Sequence, residues 1–226
     1  MEAGFHLHAP KTGGTSIIAA LMTHSETFSK RLGHFYARKE AAALSFTPAS
    51  VPDDICYCPD HKLFITFGIR NPYDRMLSLT KQLNRQNKIL ENGRQYTLKT
   101  HFTEIKRYSK IDWSDSLARY KDFAPHWSVI ATLNDFENTL CPNCEIKYIR
   151  FENLVEDFKS LYPFELEHWN NHKQDDPTTI ELVKQNFDSQ EILDKFNEYY
   201  AKDFSRYGYT MITNINDLYH KYQNNS

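Results

Sequence analysis

The chain has 226 residues, a formal net charge of −2, 40% hydrophobic residues and 25% charged residues. That make-up is ordinary for a globular protein, and the length accommodates one α/β domain with a substantial core. The near-neutral charge weighs against a nucleic-acid partner, and no run approaches 18 apolar residues, so no membrane span is expected.

Residues 4–9 alternate apolar and polar side chains, the pattern of a strand. They enter the turn Pro10-Lys11-Thr12-Gly13-Gly14-Thr15-Ser16, and a helix over about 15–23 leaves it. Glycines permit close backbone approach to a ligand, and a helix start offers N–H groups and a positive dipole end to an anion. Lys11 adds a charge, and Thr12, Thr15 and Ser16 add hydroxyls. The segment reads as a phosphate cradle, yet it is not the Walker loop, because Lys11 precedes the glycines instead of following them. A glycine-rich strand-to-helix turn without any ligand would have the same composition.

Residues 24–34 lead toward a helix near 36–44, and a Pro- and Asp-containing loop covers 47–61. Residues 62–69 (K-L-F-I-T-F-G-I) form a short apolar, β-branched and aromatic run, the pattern of a buried strand. Arg70-Asn71-Pro72 follows at once. Pro72 suits the first turn of a helix over 72–90, with Asn71 as its N-cap. Arg70 at the strand end can fork onto a phosphate, and Ser78, one turn beyond Asp74, can add a hydroxyl. Arg70, Asp74 and Arg75 could equally form an ordinary ion-pair network.

A polar insertion, about 91–112, is expected to be the mobile part. Helices follow near 113–121 and 128–139, with Pro125 breaking the first. A strand at 145–151 leads to a helix at 152–162, and further helices are expected near 177–186 and 189–202. The Tyr-rich segment Tyr199 to Tyr209 suits core and cap better than a stacking surface, and residues 210–226 look like a frayed tail. Strands separated by long helical stretches imply crossovers and a parallel sheet, with any ligand at the strands' carboxyl ends.

Four segments together resemble the sulfotransferases that use 3′-phosphoadenosine 5′-phosphosulfate (PAPS). His8 to Ser16 is similar to that family's 5′-phosphosulfate loop, and Phe67 to Arg75 with Ser78 is similar to its 3′-phosphate element. Tyr148 to Phe158 resembles the strand and helix start of the Golgi-type carbohydrate sulfotransferases, as do His126-Trp127 and Cys141-Pro142-Asn143-Cys144. These matches run in the family's order from residue 5 to about 158, and the ending at Tyr199 to Tyr209 also looks like the family's. The resemblance implies an α/β, P-loop-like three-layer fold with a central parallel sheet flanked by helices. It implies one sulfotransferase domain over 1–209, with 210–226 as a C-terminal tail. Cofactor-binding residues carried over are Lys11, Thr12, Gly13, Gly14, Thr15, Ser16, Arg70 and Ser78, and the donor is PAPS with no metal.

Sulfuryl transfer is in line and loose, like phosphoryl transfer, so a cation must stabilise the leaving phosphate and a base must take the acceptor's proton. Lys11 is the candidate for the first task. For the second, Leu32-Gly33-His34-Phe35-Tyr36 resembles the Gly-His segment of uronyl 2-O-sulfotransferases, which makes His34 the candidate base; imidazole titrates in the useful range. Glu26 and His126 remain alternatives for that role, with His61 and His101 behind them. The acceptor implied is a hydroxyl of a carbohydrate. From Lys81 to Lys121 there are ten Lys/Arg against four Asp/Glu, leaving 17 against 25 elsewhere. A basic rim of that kind suits an acidic glycan, and a solvated helix face would give the same count.

Two other function classes stay open: a nucleotide kinase or NTPase using a similar cradle, and an inactive binding protein of the same fold. Against the kinase stand the missing Gly-Lys-Ser/Thr and the lack of a Mg²⁺-holding Asp after an apolar strand. The cysteines, Cys56-x-Cys58 and Cys141-x-x-Cys144, could be reduced thiols, disulfides or, less well spaced, a zinc site. His6-x-His8 and His168 with His172 lack a third metal ligand. Residues 1–20 show no signal-peptide pattern, so a cytoplasmic location is expected, or the Golgi lumen if an anchor and stem belong ahead of residue 1.

Overall fold

A computed structural model describes residues 3–7, 12–14, 16–17, 19–20, 63–85, 97–102, 133–134, 145–162, 165–166 and 180–224. The fold is mixed α/β, and the chain divides into two compact units. The first comprises Met1–Arg70 and Ser116–Asn171, the second Asn71–Asp115 and His172–Ser226.

The first unit is built on a parallel sheet of three strands, β1 (Ala3–Leu7), β2 (Leu63–Ile69) and β3 (Glu145–Arg150), in the spatial order β1-β2-β3. Parallel neighbours require crossovers, as the alternation of strands and helical stretches predicts. His6 is level with Thr66, and Gly68 with Ile149, so these four residues share one sheet face. On that face the buried residues Ile17, Ala20, Ile149, Leu154, Phe158, Tyr162 and Leu166 form a single core cluster. Two of its segments are helical, that of residues 14, 16–17 and 19–20 and α2 (Leu154–Leu161, numbered after α1 below). Both present residues at i, i+3 or i+4 spacing, Ile17 with Ala20 and Leu154 with Phe158, so each turns one apolar stripe onto the sheet.

The same face carries a buried polar chain. His6 Nδ1 lies 3.1 Å from Thr66 Oγ1, which lies 3.0 Å from Tyr162 Oη. Burial is the larger influence on the Tyr162 phenol and pushes its pKa up to about 12, with the Thr66 hydrogen bond pulling the other way. Phe67 and Ile69, pointing to the opposite face, are also buried.

Strand β3 ends one residue earlier than its apolar pattern suggests. Phe151–Asn153 form a 3₁₀ turn before α2, because the Asp157 carboxylate of that helix accepts a hydrogen bond from the Arg150 N–H at 2.7 Å. The carboxylate thus takes the strand's last donor and closes the turn.

The described residues of the second unit are mostly helical. They contain α1 (Pro72–Arg85), α3 (Ile180–Asn186), α4 (Gln190–Tyr199), α5 (Ala201–Tyr207) and α6 (Ile215–Gln223). Helix α1 starts as its sequence predicts: Asn71 Oδ1 accepts from Tyr73 N at 3.1 Å, and Pro72 takes the first helical position. The buried Tyr73 ring stacks on Phe196 at 5.2 Å and packs against Phe187 and Phe204. Its hydroxyl donates to Asn197 Oδ1 at 2.6 Å and accepts from Ile212 N at 2.9 Å. Burial, opposed by its hydrogen bonds, pushes this phenol up to about 12.

Three sequence expectations are corrected here. The helix expected over 189–202 is interrupted at Tyr200, whose φ of −97° and ψ of 12° lie outside the helical well. Tyr200 is held there by packing on Phe196 at 4.5 Å and a hydroxyl contact to His101 Nε2 at 3.1 Å. The insertion at 91–112 holds a helical turn over 97–102, closed by reciprocal bonds between Thr97 and Thr100. Leu98 and His101 from that turn are buried, so this part of the insertion is core. Finally, the frayed tail at 210–226 contains α6. Asn214 Oδ1 caps it through Asn216 N at 2.8 Å, and Leu218 and Tyr222 bury one stripe. Tyr222 Oη donates to Asp74 Oδ1 at 2.6 Å, Lys221 Nζ stands 3.7 Å from Asp74 Oδ2, and Tyr219 Oη donates to the Phe187 carbonyl at 2.6 Å. No helix among the described residues is long and apolar enough to cross a membrane.

Candidate functional site

Because the three strands run parallel, the segments after β1, β2 and β3 leave the sheet at one edge. That edge is where an open α/β sheet places its ligands. Three segments meet there in the first unit.

The segment after β1 supplies Thr12, Gly13, Gly14 and Ser16. Gly13 has φ of +85°, a conformation that side chains strain to adopt. Its carbonyl accepts from Ser16 N at 3.1 Å and from Ile17 N at 3.3 Å, so a helical turn begins directly after it. A helix start of this kind leaves its earliest amides without intrahelical acceptors, the feature that anions use. Thr12, Gly14 and Ser16 are buried.

The glycines also answer to protein contacts. A Cβ on Gly13 would stand 3.1 Å from both Phe151 Cδ2 and Leu154 Cδ2. A Cβ on Gly68 would stand 2.6 Å from Thr12 Oγ1 and 3.1 Å from its backbone oxygen. Gly68 thus lets the turn after β1 lie directly on the end of β2. Thr12, fully buried against that glycine, serves this contact as well as any ligand.

The segment after β2 begins with Arg70. Its guanidinium carbon lies 3.9 Å from the centroid of the Phe151 ring, a cation–π stack with the first residue after β3. Stacking engages the guanidinium face, while its five N–H donors lie in the plane. Phe151 therefore touches both the Gly13 turn and Arg70. It joins the Gly13 turn to the residues that directly follow β2 and β3.

The other expected residues distribute as follows. Ser78 is half-buried on α1 in the second unit. Asp74 and Arg75 belong to the second unit too, and Asp74 pairs with Lys221 and Tyr222 of α6, partners that the Arg70-Asp74-Arg75 network does not include. Lys11, Thr15, His34, Glu26, His126, His61 and the four cysteines lie outside the described residues, as do His8, His168 and His172. His101 is fully buried, and its pKa falls to about 3 because of burial first and the nearby Arg75 charge second. Such a neutral imidazole, bonded to Tyr200 in the second unit's interior, is a packing residue. Among the described residues no cluster of three or more His, Cys, Asp or Glu could hold a metal ion.

Sequence reasoning did not single out Phe151 or Gly68. The signals present were an aromatic directly after a strand, at Tyr148-Ile149-Arg150-Phe151, and a glycine two residues before a strand-ending Arg. Comparison of the chain with protein-family models, with curated proteins and with solved structures gave no match.

Proposed function

We propose that this chain is a sulfotransferase that moves the sulfuryl group from PAPS to a hydroxyl of a carbohydrate acceptor, on a P-loop-like three-layer α/β fold. The observation that carries the reading is the meeting of the Gly13 turn and the Arg70 guanidinium at Phe151, on the carboxyl edge of a parallel sheet. A nucleotide with phosphates at both ends of its ribose needs such a pair, a backbone-amide turn for one and a planar cation for the other. The two parts come from the segments whose sequences resemble the family's 5′ and 3′ elements.

Bound there, PAPS would supply an activated sulfuryl group. Gly13, Gly14, Thr15 and Ser16 would hold its 5′ end through amides and hydroxyls, and Arg70 would bind the 3′-phosphate. Lys11 would stabilise the negative charge that develops on the leaving phosphate oxygen. His34 would accept the acceptor's proton at a ring nitrogen.

The test is sulfate transfer from labelled PAPS to a panel of glycan acceptors, acidic ones included. Wild-type chain should transfer label. Lys11→Ala should lower kcat far more than cofactor affinity. His34→Ala should cost about 10²–10⁴ in rate while leaving product-nucleotide binding unchanged. If His34→Ala turns over normally and Glu26→Gln or His126→Ala is folded but inactive, the base is that residue. Turnover of ATP in place of PAPS would favour a kinase or NTPase instead.

A further inference from the structure

Phe151 is half-buried at the start of the 3₁₀ turn, a position that its chemistry alone would not make functional. Its backbone is fixed from both sides. The Arg150 amide before it is held by Asp157, and Leu154 after it is anchored in the core beneath the sheet edge. The ring therefore sits on a rigid base. Against it lie the guanidinium of Arg70, 3.9 Å from the centroid, and the backbone of Gly13, where even a methyl group would come within 3.1 Å.

An arginine at a strand end has four side-chain torsions and loses considerable freedom when it binds an anion. A ring beneath it removes part of that cost in advance and fixes the plane in which the N–H donors point. The geometry points to Phe151 as a positioning residue: its ring is the platform that holds the Arg70 guanidinium at a set distance from the Gly13 turn. This rests on the proposed function for the identity of the ligand, but the platform itself is a property of the free protein.

Phe151→Leu removes the π face while keeping an apolar side chain against Gly13 and Leu154; Phe151→Tyr keeps the ring. In the free protein, the ring current of Phe151 should shift the Arg70 side-chain proton resonances upfield. That shift should vanish in Phe151→Leu and persist in Phe151→Tyr. Unchanged Arg70 resonances in Phe151→Leu would overturn the platform.

A second arm uses adenosine 3′,5′-bisphosphate and AMP, which lacks the 3′-phosphate. Phe151→Leu should weaken bisphosphate binding about three- to thirtyfold, the range of one cation–π contact, and AMP binding less than twofold. Phe151→Tyr should restore the bisphosphate affinity. In an Arg70→Ala background the same substitution should have no further effect, since the two residues act as one unit. Equal losses for both nucleotides, or a full loss that persists without Arg70, would show that Phe151 merely supports the fold. A wild-type chain that binds neither nucleotide would overturn the proposed function, and the resonance arm would then decide the platform alone.

Discussion

Single buried side chains set limits on how this protein responds to its surroundings, and His101 is the clearest instance. Desolvation, aided by the Arg75 charge, lowers its pKa from 6.5 to about 3 in the folded chain. Below pH 6.5 the unfolded chain binds a proton that the folded chain refuses. Stability is therefore complete above pH 6.5 and falls as the pH drops from 6.5 toward 3. The linkage amounts to about 1.4 kcal/mol per pH unit well inside that window, or about 2 kcal/mol between pH 7 and pH 5. Urea midpoints across this range should decline less steeply in His101→Leu than in wild type, whatever the variant's stability at pH 7. Parallel declines would mean that His101 is protonated in the fold. A sequence shows a histidine in a polar insertion and gives no sign of this, because burial comes from the Leu98 stripe docking beside Tyr200.

At the level of elements, legibility followed the strength of local signals. The strand at 63–69 and the helix from Pro72 could be read because a β-branched run meets Asn71-Pro72, and one residue type serves each geometric need. Helix α6 was missed although Ile215, Leu218, Tyr219 and Tyr222 fall at i, i+3, i+4 and i+7, because the Asn-rich surroundings read as a tail. Its stability comes from partners far away in sequence, Asp74 and the Phe187 carbonyl. Leu218 is fully buried, so Leu218→Ala should destabilise the chain by about 2–5 kcal/mol, measured by urea unfolding. An unchanged midpoint would mean that residues 215–223 are peripheral. The break at Tyr200 was hidden for a similar reason: residues 189–202 are all acceptable in a helix, and the contact that Tyr200 makes with His101 joins residues far apart in sequence.

For the molecule as a whole, chain order made the parallel sheet legible, since strands separated by long helical stretches leave few alternatives. The candidate site was legible in its parts, the Gly13 turn and Arg70, but not in its assembly. Residues 13, 70 and 151 meet only through the register of three strands, and no local pattern encodes that register. Gly68 and Phe151 acquire their meaning from it. The central claim, that this edge binds a nucleotide phosphorylated at both the 3′ and 5′ positions, is tested most directly by isothermal titration with adenosine 3′,5′-bisphosphate, AMP and ATP. Wild type should bind the bisphosphate in preference to both others. Arg70→Ala should weaken the bisphosphate by about 1.5–3 kcal/mol, the range for a charged hydrogen bond, and barely affect AMP. Preference for ATP, or equal losses for bisphosphate and AMP in Arg70→Ala, would contradict the account.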